Sequence, residues 1–225
     1  MSDLPSPEAH VAAYGQLRAR IIEMTHGIDR DHECPLTPEW SIGDTLAHLV
    51  GVNTDVIAGN LEGAPTPPWT AAQVDARRGR STAELAAEWE SNAEAFDAIL
   101  LVVPTIVSGQ VVFDTVTHEF DIAHALGAKA GQTSAELAIA AGWIAHAVKG
   151  RKADSKPAVS IDFGARSVQW GTGEVETRVQ ITEFEFVRVS SGRRSAAQIL
   201  AAGYPSVEAA LAAEIFSPSS FDVIE

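Results

Sequence analysis

The sequence is short of cysteine, of long hydrophobic runs and of a basic leader segment. Its single cysteine, Cys34, cannot form an internal disulfide, which fits a reducing compartment. No apolar stretch approaches the roughly 18 residues that a membrane span requires. The opening segment MSDLPSPEAH lacks the basic and apolar regions of a signal peptide. We therefore expect a soluble, cytoplasmic protein.

Basic residues are also scarce, since 16 of them stand against 30 acidic residues and leave a formal net charge of −14. A field of this sign repels phosphate backbones, so we do not expect the protein to bind nucleic acid. The chain is rich in hydrophobic residues, at 46%, and has an ordinary 20% of charged ones. This composition over 225 residues predicts a folded protein with a sizeable core, in one large domain or two small ones.

Hydrophobic residues recur at helical spacing as far as residue 150, which predicts five helices with short connections, as in an antiparallel bundle. Two helix starts resemble capping boxes, Ser41 with Asp44 and Ser81 with Glu84. The predicted helices cover 7–29, 41–62, a segment from Ser81 to before Pro104, 110–126, and a segment opened by Thr133 with Glu136. A short helical turn is also predicted at 70–77.

The hydrophobic period changes to strict alternation after Lys149–Pro157, where we place a domain boundary between residues 152 and 153. Alternating apolar residues in 159–163, 168–170 and 175–181, with glycines between them, predict a small antiparallel sheet. Two short helices are predicted at 196–202 and 207–213. The predicted fold class is therefore α+β, with a four- or five-helix bundle over 1–152 and a small α+β domain over 153–225.

The segment FDTVTHEFDIAHALG, residues 113–127, contains the most informative pattern for chemistry. Asp114 and His118 lie about 40° apart around a helix, so they can chelate one divalent ion with a third ligand from another helix. His48, at the flank of the apolar stripe of its helix, is our candidate for that ligand. Two imidazoles and one carboxylate would leave a coordination position open for water or substrate. The spacing alone leaves open a surface ion pair or a capped polar group in the core.

The remaining reactive side chains give weaker signals. We interpret five histidines as structural or surface residues: His10, His26, His32, His124 and His146. Cys34 has no adjacent base or helix start to activate its thiol, so we expect it to be inert. The arginine groups are either exposed charges or forks that hold a substrate carboxylate bidentately: Arg77, Arg78 and Arg80, and Arg193 with Arg194.

Three stretches resemble the mycothiol-dependent maleylpyruvate isomerase family, which is part of the DinB-like metal-binding superfamily. They are CPLTPEWSIGDTLAHLVG at 34–51, DTVTHEFDIAHALG at 114–127 and FEFVRVSSGRRSAAQIL at 184–200. The resemblance implies a DinB-like bundle with metal ligands at His48 and His118. The family's usual glutamate is matched here by Asp114, whose side chain is one methylene shorter.

The resemblance also implies a thiol reaction, in which a bound metal ion favours the thiolate of the cofactor. We predict that Arg80, Arg193 and Arg194 hold substrate carboxylates, the last two because they match the family's GRR turn. The implied cofactors are zinc, with nickel, manganese or iron as alternatives, and mycothiol or a similar low-molecular-weight thiol.

Three functions remain open from the sequence. The first is a metal-dependent isomerase or S-transferase that uses a mycothiol-type thiol on a small electrophilic, carboxylate-bearing substrate. The second is a metal-dependent hydrolase that activates water. The third is a non-catalytic metal- or ligand-binding protein, which the exchange at Asp114 favours. The expected partners are the small-molecule substrate and the thiol, without nucleic acid or membrane, and the expected state is a monomer or homodimer.

Overall fold

The structure is a computed structural model and describes residues 4–151, 158–210 and 217–225. The chain divides into two compact units whose segments alternate along the sequence. The helical unit consists of Ser6–Val111 and His118–Ala130, and the mixed unit consists of Met1–Pro5, Val112–Thr117 and Gly131–Glu225. The predicted boundary between residues 152 and 153 lies outside the described residues and stays a prediction.

Helices account for the regular structure of the helical unit. They are α1 (Pro7–Thr25), α2 (Ile42–Ala58), α3 (Pro67–Ala76), α4 (Thr82–Ser91), α5 (Ala93–Leu100) and α6 (Thr105–Ala125), the last of which also supplies Val112–Thr117 to the mixed unit. Both predicted capping boxes are present, because Ser41 and Ser81 accept from the backbone N–H three residues on, and Asp44 and Glu84 accept in return. These caps satisfy helix N–H groups that have no partner inside the helix.

A buried polar contact joins three helices in the core of this unit. The hydroxyl oxygen of Tyr14 accepts hydrogen bonds from Asn53 Nδ2 at 2.6 Å and from Trp89 Nε1 at 2.8 Å. All three side chains are buried among large apolar residues such as Leu17 and Phe96. Pairing these polar atoms matters because an amide or indole N–H that is buried without a partner destabilises the fold.

Several predicted helix limits differ from the structure; α2 ends at Ala58 and not near residue 62, and α3 begins at Pro67 and not at residue 70. The helix that opens at Ser81 is interrupted at Asn92, which ends α4 and caps α5. Helix α1 ends at Thr25, and the nearby Gly27 adopts φ 73°, a left-handed conformation that suits glycine after a helix. Helix α6 begins at Thr105, directly after Pro104, because proline is tolerated at a helix start but not inside one.

The mixed unit contains a three-stranded sheet and four helices in its described residues. They are α7 (Ala135–Arg151), β1 (Ala158–Asp162), β2 (Ser167–Trp170), β3 (Val175–Gln180), α8 (Glu183–Ser190), α9 (Ala196–Ala201) and α10 (Val207–Ala210). The predicted short helices therefore correspond to α9 and α10, and residues 211–213 of the second prediction lie outside the described residues. The predicted α+β class is confirmed.

The sheet has the order β2-β1-β3, and the prediction of a wholly antiparallel sheet is wrong. Strands β1 and β2 pair antiparallel, whereas β1 and β3 pair in parallel, with Ile161 opposite Val179. The segment 171–174 after β2 carries the chain to the other edge of β1, so β3 runs in the same direction as β1. Alternation of apolar residues has the same period in both strand directions and cannot distinguish them.

Buried charges organise the end of the mixed unit. Arg188 on α8 is fully buried, and it donates to the Glu225 carboxylate from Nη2 at 2.6 Å and from Nε at 3.1 Å. Arg194 donates to the same carboxylate from Nη1 at 2.8 Å. The segment 217–225 is also held by Gln198, whose Nε2 donates to Val223 O at 2.7 Å. Within the described part of the chain, no helix has both the length and the apolar character needed to cross a membrane.

Candidate metal centre

The structure brings together the three residues that the sequence predicted as metal ligands. One donor atom from each of His48, Asp114 and His118 lies within 4.8 Å of the others. Asp114 and His118 are one turn apart on α6, and His48 lies on α2. The shorter side chain of Asp114 thus still reaches the group. The role of these residues as ligands stays a prediction.

The two histidine rings are held in a buried aromatic cluster. His48 and His118 are each 6% exposed, and their ring centroids lie 5.3 Å apart with the ring planes at 76°. The half-buried Trp40, which directly precedes the cap of α2, lies 5.3 Å from the His48 ring and 5.9 Å from the His118 ring. Its indole therefore packs against both imidazoles and gives the cluster an apolar side.

Each imidazole has an acceptor next to Nδ1. Gln73 Oε1 lies 2.9 Å from His48 Nδ1, and Asp121 Oδ2 lies 3.2 Å from His118 Nδ1. Metal-binding histidines usually donate from the ring nitrogen that does not bind the ion, and this bond sets the tautomer and the ring orientation. The hydrogen-bond partner at Nδ1 of His48 would thus leave Nε2 of that ring available to an ion.

The donor set fits a divalent transition metal. Imidazole nitrogen and carboxylate oxygen are ligands of zinc, and the same mixture accepts nickel, manganese or iron. Bonds to zinc of about 2.0–2.2 Å place ligand atoms roughly 3–4 Å apart. The three donor atoms lie within 4.8 Å of one another, which is close to that spacing. The single carboxylate would balance one of the two positive charges of a divalent ion, so a bound ion would keep a net positive charge.

The arginines predicted to hold substrate carboxylates have partners within the chain. Arg80 pairs with Glu88 through Nη1 and donates from Nη2 to Glu84 O at 3.2 Å. Arg193 donates from Nη1 to Ser191 O at 2.6 Å. Arg194, which is 5% exposed, donates to both oxygens of Glu185 at 2.8 and 2.9 Å. Binding of a substrate carboxylate by these side chains stays a prediction.

The histidines that we interpreted as structural or surface residues include buried and exposed examples. His10 is fully buried against Ser108, and Nε2 of His32 lies 3.2 Å from Ala125 O. His146 is exposed on α7. Cys34 is a free, buried cysteine.

Gln73 is the residue at this centre that sequence reasoning missed. A neutral amide on the short helix α3 belongs to no metal motif, and its contact with His48 spans 25 positions of sequence. One sequence signal was available, because Gly51 lies on the same helix as His48 and marks a place where another element approaches closely. A Cβ atom on Gly51 would lie 2.4 Å from Gln73 Cβ.

Comparison with known proteins gives matches of structure but not of sequence. No family model and no curated protein matches the sequence. The fold is similar to the crystal structure of the mycothiol-dependent maleylpyruvate isomerase, with a TM-score of 0.58, 14% identity, and coverage of 85% of this chain and 90% of that chain. A variant of that isomerase with one histidine replaced by alanine matches with a TM-score of 0.59 at the same identity and coverage. This likeness shows a shared fold.

Proposed function

We propose that the protein is a metal-dependent enzyme that activates a low-molecular-weight thiol of the mycothiol type. It acts as an isomerase or S-transferase on a small electrophilic substrate that carries a carboxylate. The observation that supports this function is the convergence of His48, Asp114 and His118 on one point. Fold likeness to a mycothiol-dependent isomerase supports the choice of a thiol as the cofactor.

The residues of the centre have separate roles in this proposal. His48 and His118 provide neutral nitrogen ligands, and Asp114 provides one negative charge. A divalent ion, when bound, supplies positive charge that favours the thiolate form of a thiol at neutral pH. Trp40 gives the centre an apolar side, which strengthens electrostatic interactions there. Zinc is the proposed ion.

Recognition of the substrate is assigned to arginine. A guanidinium matches a carboxylate through two parallel hydrogen bonds, which a lysine cannot provide. Arg80 is the candidate with most free surface, since its side chain is 38% exposed beyond its contact with Glu88. Arg193 is half-buried, and Arg194 already holds Glu185 and Glu225. We therefore assign the substrate carboxylate first to Arg80, with Arg193 and Arg194 as the alternatives.

The metal is tested by elemental analysis of protein purified without chelators. We expect about one divalent ion per chain in the wild type and little in His118→Ala. The matched control is His146→Ala, which removes an exposed histidine and should retain the ion. Equal metal content in wild type and His118→Ala would contradict the proposal.

The reaction is tested with metal-loaded protein and two substrate panels. The first pairs mycothiol with electrophilic carboxylic acids such as maleylpyruvate, and we expect turnover that requires both the thiol and the metal. The second contains esters and amides without thiol, because an open position on a bound metal also suits a hydrolase. Hydrolysis without thiol would replace the thiol function by that alternative, and metal binding without either reaction would indicate a binding protein.

A further inference from the structure

A series of hydrogen-bonded polar side chains connects Asp55, near the C-terminal end of α2, with His48. Asp55 Oδ2 accepts a hydrogen bond from Gln73 Nε2 at 2.8 Å, and Gln73 Oε1 lies 2.9 Å from His48 Nδ1. Asn60 Nδ2 donates to the other oxygen of Asp55 at 2.9 Å. His48 and Asp55 lie two turns apart on one face of α2, and α3 places Gln73 between them.

The donors and acceptors in this series permit only one orientation of the Gln73 amide. An ionised carboxylate only accepts hydrogen bonds, so the NH2 end of the amide must face Asp55. The carbonyl end, which also only accepts, then faces His48. The bond can form only if Nδ1 of His48 carries the proton, and this tautomer leaves a lone pair on Nε2.

The position of Gln73 is fixed by close packing of α3 on α2. Gly51 makes this approach possible, since an added Cβ would lie 2.4 Å from Gln73 Cβ and 2.6 Å from its Cγ. Arg77 Nη1 donates to Gln73 O at 3.2 Å and ties down the backbone of the same turn. Gln73 is 2% exposed. A buried amide in such a place has few alternative rotamers, so its carbonyl is already aimed at His48 before any ion binds.

We propose that Gln73 is a positioning residue that holds His48 in the Nδ1–H tautomer with Nε2 directed at the metal centre, and that Asp55 sets the orientation of Gln73. The inference rests on the proposed function, in which His48 is a metal ligand. A purely structural bridge between α2 and α3 would change stability when removed. It would change neither the tautomer of His48 nor the affinity for metal.

The experiment compares two single substitutions and one double substitution, at Gln73 and Asp55, with one control variant. Gln73→Met keeps the length of the side chain and removes both polar ends. Asp55→Asn lets the Gln73 amide turn over, since the new amide can donate or accept. The double change Gln73→Glu/Asp55→Asn keeps an acceptor facing His48 and a donor facing the new carboxylate. The control is Thr45→Val on α2, because its hydroxyl donates to Ser41 O at 3.0 Å and has no bond to Gln73 or Asp55 among the described contacts.

Two quantities are measured for each protein. The dissociation constant for Zn²⁺ is obtained by competition with a chromophoric chelator, and the tautomer of His48 in metal-free protein is obtained from the ¹⁵N shifts of its ring at about pH 8. We expect Gln73→Met to bind Zn²⁺ roughly 10- to 100-fold more weakly and to show a mixture of tautomers. Asp55→Asn should shift both quantities in the same direction, and the double change should restore them.

The control should keep the wild-type affinity and tautomer even where its melting temperature falls. The inference is overturned if Gln73→Met and Asp55→Asn both retain the wild-type Zn²⁺ affinity and the Nδ1–H tautomer. If Gln73→Met does not fold, Asp55→Asn alone decides, because Asp55 is only half-buried. If the wild type binds no metal, the proposed function fails, whereas the tautomer in metal-free protein still tests the role of Gln73.

Discussion

The hydroxyl oxygen of Ser108 lies 2.7 Å from Nδ1 of His10, in a contact between α1 and α6 in which both side chains are fully buried. Among the described residues, Nε2 of His10 has no hydrogen-bond partner. Protonation would therefore place a positive charge in the core with one donor unsatisfied. Burial accordingly lowers the pKa of His10 below its usual value.

The first prediction follows from that lowered pKa. The unfolded chain takes up a proton on this histidine near its ordinary pKa of about 6.5, while the folded protein does so only at lower pH. The free energy of unfolding should therefore carry no penalty from His10 above about pH 7. It should decrease as the pH falls below about 6.5, because the unfolded chain then binds a proton that the folded protein does not. In His10→Asn this part of the pH dependence should vanish, as measured by urea unfolding at a series of pH values.

The control for this measurement is His146→Asn, which removes an exposed histidine on α7. Its pH dependence should match that of the wild type. Parallel curves for wild type and His10→Asn between about pH 7 and pH 5 would show that His10 is not the group responsible.

The second prediction concerns the carboxylate of the metal centre. Asp114→Asn should weaken Zn²⁺ binding by more than the roughly 10- to 100-fold that loss of an outer-shell partner causes, because it removes a charged ligand. Asp114→Glu keeps the charge on the same helix face and should retain the ion. Isothermal titration calorimetry on metal-free protein measures both effects.

The matched control for Asp114 is Glu119→Gln on the same helix. Glu119 is buried and pairs with Arg20, with Nε to Oε1 at 2.6 Å, so its loss should reduce stability. It should not reduce the affinity for Zn²⁺. An equal loss of affinity in both variants would mean that the effect reflects damage to α6 and not loss of a ligand.

The third prediction uses Trp40 as a reporter of the centre. Its indole packs against both imidazoles, so binding of Co²⁺ or Ni²⁺ should quench its fluorescence. Most of the quenching should disappear in Trp40→Phe and persist in Trp69→Phe, since Trp69, whose Nε1 donates to Asn60 O at 3.0 Å, has no described ring contact with either imidazole. A full response in Trp40→Phe would place the bound ion elsewhere.

The fourth prediction compares two glycines inside helices. Gly51→Ala forces α3 away from α2 and should destabilise the protein by roughly 1–3 kcal/mol while weakening Zn²⁺ binding through Gln73. Gly15→Ala on α1 meets only Arg18 Nη2, at 3.9 Å, and should stabilise the protein by about 0.5–1 kcal/mol. Thermal unfolding and Zn²⁺ titration separate the two, and a Gly51→Ala variant as stable as Gly15→Ala would contradict the close packing.

The sequence was informative about interactions between residues that lie within a few positions of each other. The capping pair Ser41 and Asp44 and the ligand pair Asp114 and His118 are of this kind, because helix geometry alone brings them together. His48 could be proposed from its place at the flank of an apolar stripe and from the resemblance of the segment 34–51 to the isomerase family.

Contacts between distant residues were not readable in the same way. Gln73 reaches His48 across a gap that no short motif spans, and the parallel pairing of β1 with β3 depends on the path of the segment 171–174. The interruption at Asn92 was missed because the apolar stripe continues across it, from Trp89 to Phe96. In each case the deciding factor is tertiary packing, which local periodicity does not record.

The carboxylate of Glu225 is shared between the guanidinium groups of Arg188 and Arg194, both of which are sheltered from solvent. Removing the segment 217–225 would thus leave the buried guanidinium groups of Arg188 and Arg194 without the carboxylate of Glu225. Shortened versions of the gene product that stop before Asp222 should accumulate poorly and be degraded quickly, even though every metal-centre residue precedes the truncation. Activity assays on such versions would then report a folding defect and reveal nothing about the chemistry.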